Sequence, residues 1–295
     1  MRLQGVYTAI VTPFTREGEI DEAGLRRNID FLVSNGVAGV VACGTTGESA
    51  TLSWEEHNRV VDIVVDAAGG RIQVIAGAGS NSTRESVAAA KHAAAVGADA
   101  ILCITPYYNK PTQEGLYRHY REIAQSAAIP MIVYNVPGRT GVNLTAETAE
   151  RLCEFESIIG IKEASGNIEQ ISEIHRRCAD RLAILSGDDA LTLPILACGG
   201  KGVVSVAANI MPRELCAMVA AFFSGNVAEA LRLHERLLPI ARAMFIETNP
   251  IPVKTAMNHL GFAAGPLRLP LVEMAENNKR KLISVLEAEA VKPIP

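Results

Sequence analysis

Short apolar runs alternate with longer stretches in which apolar residues recur every three or four positions, and this alternation repeats along most of the chain. The runs Val6–Thr12, Gly39–Cys43, Gln73–Gly77, Ala100–Thr105, Met131–Val136, Ile158–Ala164, Leu182–Gly187 and Val203–Ala207 read as strands. The stretches between them carry helical periodicity. Leu25, Ile29, Leu32 and Val33 mark the first helix, and Leu116, Tyr120, Ile123 and Ala127 the fourth. Ser53-x-x-Glu56 and Ser82-x-x-Glu85 have the spacing of capping boxes and should open the second and third. Continuously apolar strands are buried on both faces, as in a parallel sheet covered by helices. Eight strand–helix units predict an α/β fold, a (β/α)8 barrel over residues 1–224. An open doubly wound sheet is the alternative. It is disfavoured because Thr12-Pro13-Phe14, and no glycine-rich phosphate loop, follows the first strand. Residues 225–295 read as a helical region with helices at Val227–Ala243, Pro252–Leu260 and Leu271–Leu286.

Composition narrows the function. A net charge of −4 gives no basis for a nucleic-acid or anionic-membrane partner. No apolar stretch approaches the ~20 residues of a membrane span, and the N-terminus lacks the core of a signal peptide. The six cysteines form no C-x-x-C pair, and the six histidines no i, i+4 pair, so neither a metal nor a redox centre is expected. Scattered cysteines suit a reducing, cytoplasmic compartment. Cys43 and Cys103, in strand runs, read as small buried hydrophobes.

Against this background Lys162 stands out, in Ile158-Ile159-Gly160-Ile161-Lys162-Glu163-Ala164. Burial disfavours the charged form of a lysine, and a neutral lysine is a nucleophile for carbonyl groups. It lies late in strand 6, where barrel enzymes hold their catalytic residues, and strand alternation turns it away from Ile159 and Ile161. The bland reading is a strand-end lysine paired with Glu163. The seven other lysines lack this setting; Lys201 precedes strand 8, at the opposite end of the barrel. Tyr134, ending strand 5, can face Lys162 and shuttle protons, or simply fill the core. Gly44-Thr45-Thr46-Gly47-Glu48 offers backbone N–H groups and hydroxyls to a small carboxylate, or is a plain strand-to-helix turn. Arg139, after Pro137-Gly138, can clamp a second carboxylate. Tyr107 and Tyr108 sit side by side in a loop, a pattern commoner at interfaces than in chemistry.

Thr45-Thr46-Gly47-Glu48, Tyr107-Tyr108-Asn109, Tyr134-Asn135-Val136-Pro137-Gly138-Arg139-Thr140, Gly160-Ile161-Lys162-Glu163-Ala164, Gly187-Asp188-Asp189 and Asn249-Pro250-Ile251-Pro252-Val253-Lys254 occur in order. With them the chain resembles the 4-hydroxy-tetrahydrodipicolinate (dihydrodipicolinate) synthases, a family of class I Schiff-base pyruvate lyases and aldolases. The resemblance runs from Gly5 nearly to the C-terminus. It implies condensation of pyruvate with L-aspartate 4-semialdehyde, the first committed step toward diaminopimelate and lysine, with no cofactor. Lys162 would form the imine. Tyr134, Thr45 and Tyr108, the last from a neighbouring subunit, would relay protons. Thr46 would hold the pyruvate carboxylate and Arg139 that of the semialdehyde, with Gly187 and Val204 lining the pocket. A homo-oligomer is implied, a dimer or a tetramer built as a dimer of dimers. An L-lysine effector site would use Ser49, Ala50, His57, Asn81, Glu85 and Tyr107, although Trp54 stands where some lysine-sensitive relatives carry histidine. The alternatives are a sister N-acetylneuraminate lyase or 2-keto-3-deoxy sugar-acid aldolase, whose pattern usually lacks the arginine at position 139, and a non-catalytic paralogue.

Overall fold

The computed structural model describes residues 1–293. Its eight strands are β1 (Gly5–Ala9), β2 (Gly39–Ala42), β3 (Gln73–Gly77), β4 (Ala100–Ile104), β5 (Met131–Asn135), β6 (Ile158–Glu163), β7 (Ala183–Ser186) and β8 (Gly202–Ser205). They close into a barrel in chain order. All eight expected strands are present. The differences lie at their ends, where Thr12, Val136, Gly187 and Ala207 fall outside the ladder. The strand residues are buried almost without interruption, as a sheet covered on one side and filled on the other requires.

The helices are α1 (Glu22–Ser34), α2 (Trp54–Ala68), α3 (Thr83–Ala95), α4 (Gln113–Ser126), α5 (Pro137–Thr140), α6 (Ala146–Leu152), α7 (Ile168–Cys178), α8 (Thr192–Ala197), α9 (Pro212–Phe223), α10 (Val227–Ala243), α11 (Ile251–His259) and α12 (Glu276–Ala288). Leu25, Ile29 and Leu32 of α1, and Leu116, Tyr120 and Ile123 of α4, are buried as their spacing predicts. Ala127 lies beyond the end of α4 in extended conformation. The Ser53–Glu56 capping box on α2 forms in both directions. The one expected on α3 does not. The Ser82 side chain caps nothing, and Glu85 Oε2 instead accepts from Ser80 Oγ at 2.6 Å, while Ser80 Oγ accepts from Ser82 N–H. Ser80 thus stands between Ser82 and Glu85, its hydroxyl taking the Ser82 N–H that the Glu85 carboxylate was expected to take. The last helix begins at Glu276, five residues later than its apolar pattern suggests, because Leu271–Ala275 is not helical.

By contact the chain groups into two compact units: Met1–Gly5 with Ile75–Val204, and Val6–Val74 with the chain from Ser205 onward. In the second unit the chain after β8 is stitched to the segments around β1 and β2. Asn209 Nδ2 donates to Ala9 O at 2.8 Å, Lys254 pairs with Glu48 at 2.7 Å, and Arg268 pairs with Glu56 at 2.6 Å. Among the described residues no helix is long and apolar enough to cross a membrane.

Candidate active site

In the unit containing Ile75–Val204, Lys162 is 7 % exposed near the C-terminal end of β6. Its position depends on a β-bulge. Met131 pairs with Ile158 but Ile132 pairs with Gly160, so Ile159 is the extra residue. The shifted register sets Tyr134 opposite Lys162; without it Tyr134 would face Ile161. A one-residue slip of this kind exchanges the two faces of a strand. Gly160 makes the close approach possible, since a Cβ there would lie 2.7 Å from Leu3 Cδ1 and 2.9 Å from Ala183 O.

Lys162 Nζ lies 4.1 Å from the centroid of the Tyr134 ring. Burial brings its pKa down from 10.5 to about 7, with the negative charge of Asp189 opposing and the positive charge of Arg139 adding to the fall. Glu163 is not its partner. That carboxyl is fully buried and accepts from Asn135 Nδ2 at 3.1 Å, Ser165 N–H at 2.7 Å and Gln170 Nε2 at 3.4 Å; burial raises its pKa. Gly187 clears space for the lysine. A Cβ at that position would sit 2.7 Å from Ala164 Cβ and 3.1 Å from Lys162 Cε. Arg139 is exposed on α5, the single helical turn after β5. Val204 is buried in β8. Tyr108 is 89 % exposed at φ +71°, beside Tyr107 at 40 %.

Lys162 is not alone as a buried lysine, although among the described residues no other sits at a strand end. Lys254 in α11 is more deeply buried, at 1 %. The two differ in what they touch. Lys254 Nζ donates to Glu48 Oε1 at 2.7 Å, Pro266 O at 2.7 Å and Thr12 O at 3.2 Å, so all three of its hydrogens are used. Among the described residues Lys162 Nζ has no hydrogen-bond acceptor. Lys254 is thus tied to three acceptors, whereas Lys162 Nζ faces the Tyr134 ring.

The unit that includes Val6–Val74 carries the threonine turn after β2. Thr46 is buried, and Thr45 half-buried. Gly47 permits close packing, as a Cβ there would meet Ile10 O and Thr12 Oγ1, each at 3.2 Å. Glu48 ends the turn at φ +53°. Among the described residues the backbone N–H groups of Thr45 and Thr46 have no acceptor. Thr46 Oγ1 accepts from Asn249 Nδ2 at 3.0 Å. Asn249, Glu48, Lys254 and Asp189 drew no functional reading from the sequence alone. The Glu48–Lys254 contact spans 206 residues, a separation at which nothing in local pattern links the two.

The residues expected to bind L-lysine fall in both units. Ser49 and Ala50 lie in a 3-10 turn, and the His57 ring in α2 packs at a tilt against Trp54, with centroids 5.1 Å apart. In the other unit Asn81 Nδ2 donates to Tyr107 O at 3.2 Å. Among the described residues no cluster of His, Cys, Asp and Glu could hold a metal ion. Cys43 and Cys103 are buried, with thiol pKa values raised by desolvation.

A model of the dihydrodipicolinate synthetase family matches residues 2–289. The 4-hydroxy-tetrahydrodipicolinate synthase of Geotalea daltonii is 55 % identical over 96 % of this chain and 98 % of its own. The dihydrodipicolinate synthase structure from Aquifex aeolicus superposes with a TM-score of 0.97 at 47 % identity, covering 99 % of each chain. That of the Cyanidioschyzon merolae enzyme with lysine bound gives 0.95 at 45 % identity over 98 % of each. The match extends over nearly the whole of both partners in each comparison, and the segments around Lys162 and the threonine turn lie within it. This chain therefore belongs to the dihydrodipicolinate synthetase family of enzymes.

Proposed function

We propose that this enzyme condenses pyruvate with L-aspartate 4-semialdehyde to 4-hydroxy-tetrahydrodipicolinate through an imine on Lys162, in the cytoplasm, with residues 1–224 as the barrel. The observation that carries the reading is the state of Lys162: buried, without an acceptor among the described residues, under the Tyr134 ring and with a pKa near 7. Much of the lysine is then neutral at physiological pH and able to attack a ketone. Nζ adds to the pyruvate carbonyl carbon, and loss of water gives the imine. Removal of a methyl proton gives an enamine, whose carbon attacks the semialdehyde aldehyde. The semialdehyde's amine then displaces the lysine by attack on the imine carbon, closing the ring and freeing Nζ.

Tyr134, Thr45 and Tyr108 relay the protons of these steps in this scheme. Thr46 and the open N–H groups of its turn hold the pyruvate carboxylate. Arg139 takes the carboxylate of the second substrate, and Gly187 and Val204 line the pocket. A tyrosine as exposed as Tyr108, on a backbone conformation that L-residues rarely adopt, supports its use by a second copy of the chain, with a dimer as the smallest active unit and a tetramer as a dimer of dimers. A relative has been crystallised with lysine bound, which supports lysine as a ligand of this chain; the effector site is assigned in this scheme to Ser49, Ala50, His57, Asn81, Glu85 and Tyr107. A coupled turnover assay tests the assignment. Pyruvate with aspartate semialdehyde should give product, and pyruvate with N-acetylmannosamine should not. Turnover only with the second pair would replace this reading with a sugar-acid lyase. Lys162→Arg should stay folded and lose most activity, because a guanidinium remains protonated.

A further inference from the structure

The hydroxyl of Thr46 has one hydrogen and two lone pairs. Asn249 Nδ2 donates to it over 3.0 Å, with both residues buried. One lone pair is thereby occupied, and the hydroxyl hydrogen is directed away from Asn249. The neighbouring N–H groups of Thr45 and Thr46, without acceptors among the described residues, are donors as well. Asn249 is itself fixed to this turn. It stands just before α11, and Lys254 of that helix is anchored to Glu48, two residues beyond Thr46. The helix therefore holds the turn at two points.

We infer that Asn249 is a positioning residue that fixes the Thr46 hydroxyl as a donor and so makes the turn a receptor for the carboxylate of a 2-oxo acid. The inference rests on the reading of the turn given above. It carries a specific chemical consequence. An aspartate at 249 has nearly the shape of asparagine but accepts where asparagine donates, so it would capture the Thr46 hydrogen and repel a ligand carboxylate.

The test follows cyanoborohydride trapping of pyruvate on Lys162 and reads the pyruvate concentration giving half-maximal trapping. Asn249→Asp should raise it about tenfold or more, the loss expected for a charge-assisted hydrogen bond. Asn249→Ala should raise it less. A merely structural role predicts the reverse order, with the isosteric aspartate better tolerated than alanine, and that result would overturn the inference. If Asn249→Asp does not fold, Asn249→Ala is compared in wild-type and Thr46→Val backgrounds. Its effect should nearly vanish without the hydroxyl, and full additivity would refute the link. Absence of trapping in the wild type is a different failure, one that removes the Lys162 reading beneath this one.

Discussion

A lysine whose pKa is near 7 has reactivity that tracks pH steeply. Below that value Lys162 is protonated and inert, so imine trapping should rise about tenfold per pH unit and level off above pH ~7. The neighbouring charges set where the curve bends. Asp189→Asn removes a charge that stabilises the ammonium and should move the midpoint down; Arg139→Ala removes one that opposes it and should move the midpoint up. Stopped trapping reactions across a pH series would read both shifts, and shifts of the same sign would contradict the electrostatic picture. Arg139→Ala should also raise the KM for the semialdehyde, or lower kcat, at least about tenfold, while changing the pyruvate KM much less. Steady-state kinetics with each substrate varied decides this, and a change confined to the pyruvate KM would contradict the assignment. Lys162, Tyr134, Arg139 and the threonine turn were legible as candidate chemistry because strand alternation and barrel polarity locate them. Asp189 was not, since its effect on Lys162 acts through space between β6 and the turn after β7. The burial of Lys254 was not legible for a related reason: a helical lysine gives no local sign that its partner lies 206 residues away.

At the scale of elements, the strand pattern announced all eight strands, since buried parallel strands are apolar throughout. It could not announce the bulge at Ile159, because an inserted residue leaves the apolar run looking continuous, and that bulge decides which residue faces Tyr134. Pairs across elements were equally hidden and now make predictions. Removing the carboxylate with Glu48→Ala leaves Lys254 buried without its counter-charge and should cost about 3–5 kcal/mol in denaturant unfolding. The paired replacement Glu48→Gln with Lys254→Met should cost distinctly less. Equal losses would mean that the ion pair matters only as packing. Farther out, the Arg268 guanidinium beside Glu56 lowers that carboxyl from 4.5 to about 2. A carboxyl depressed on folding contributes stability above its unfolded pKa and loses it as pH falls. The contribution should therefore be complete above pH ~4.5 and disappear toward pH ~2. Glu56→Gln should flatten the acid limb of a Tm-against-pH curve, and an unchanged limb would contradict the pairing.

For the whole molecule, the fold class and the family could be read from the order of the motifs, whereas assembly and regulation depend on surfaces that one chain does not complete. Mixing inactive Tyr108→Phe and Lys162→Ala subunits should restore activity if Tyr108 serves a neighbouring site, because some hybrid sites then carry neither lesion. No recovery after verified subunit exchange would count against sharing. L-lysine at millimolar levels should inhibit turnover, and Glu85→Ala should relieve inhibition while leaving catalysis nearly intact. A flat titration would make those residues structural. Everything proposed at the site depends on the covalent step, so the most direct measurement is peptide mass spectrometry after cyanoborohydride reduction with pyruvate. The peptide containing Lys162 should gain the reduced pyruvate adduct, in proportion to loss of activity, with none at Lys254 or Lys201. An adduct at either of those lysines, or inactivation without modification of Lys162, would contradict the account.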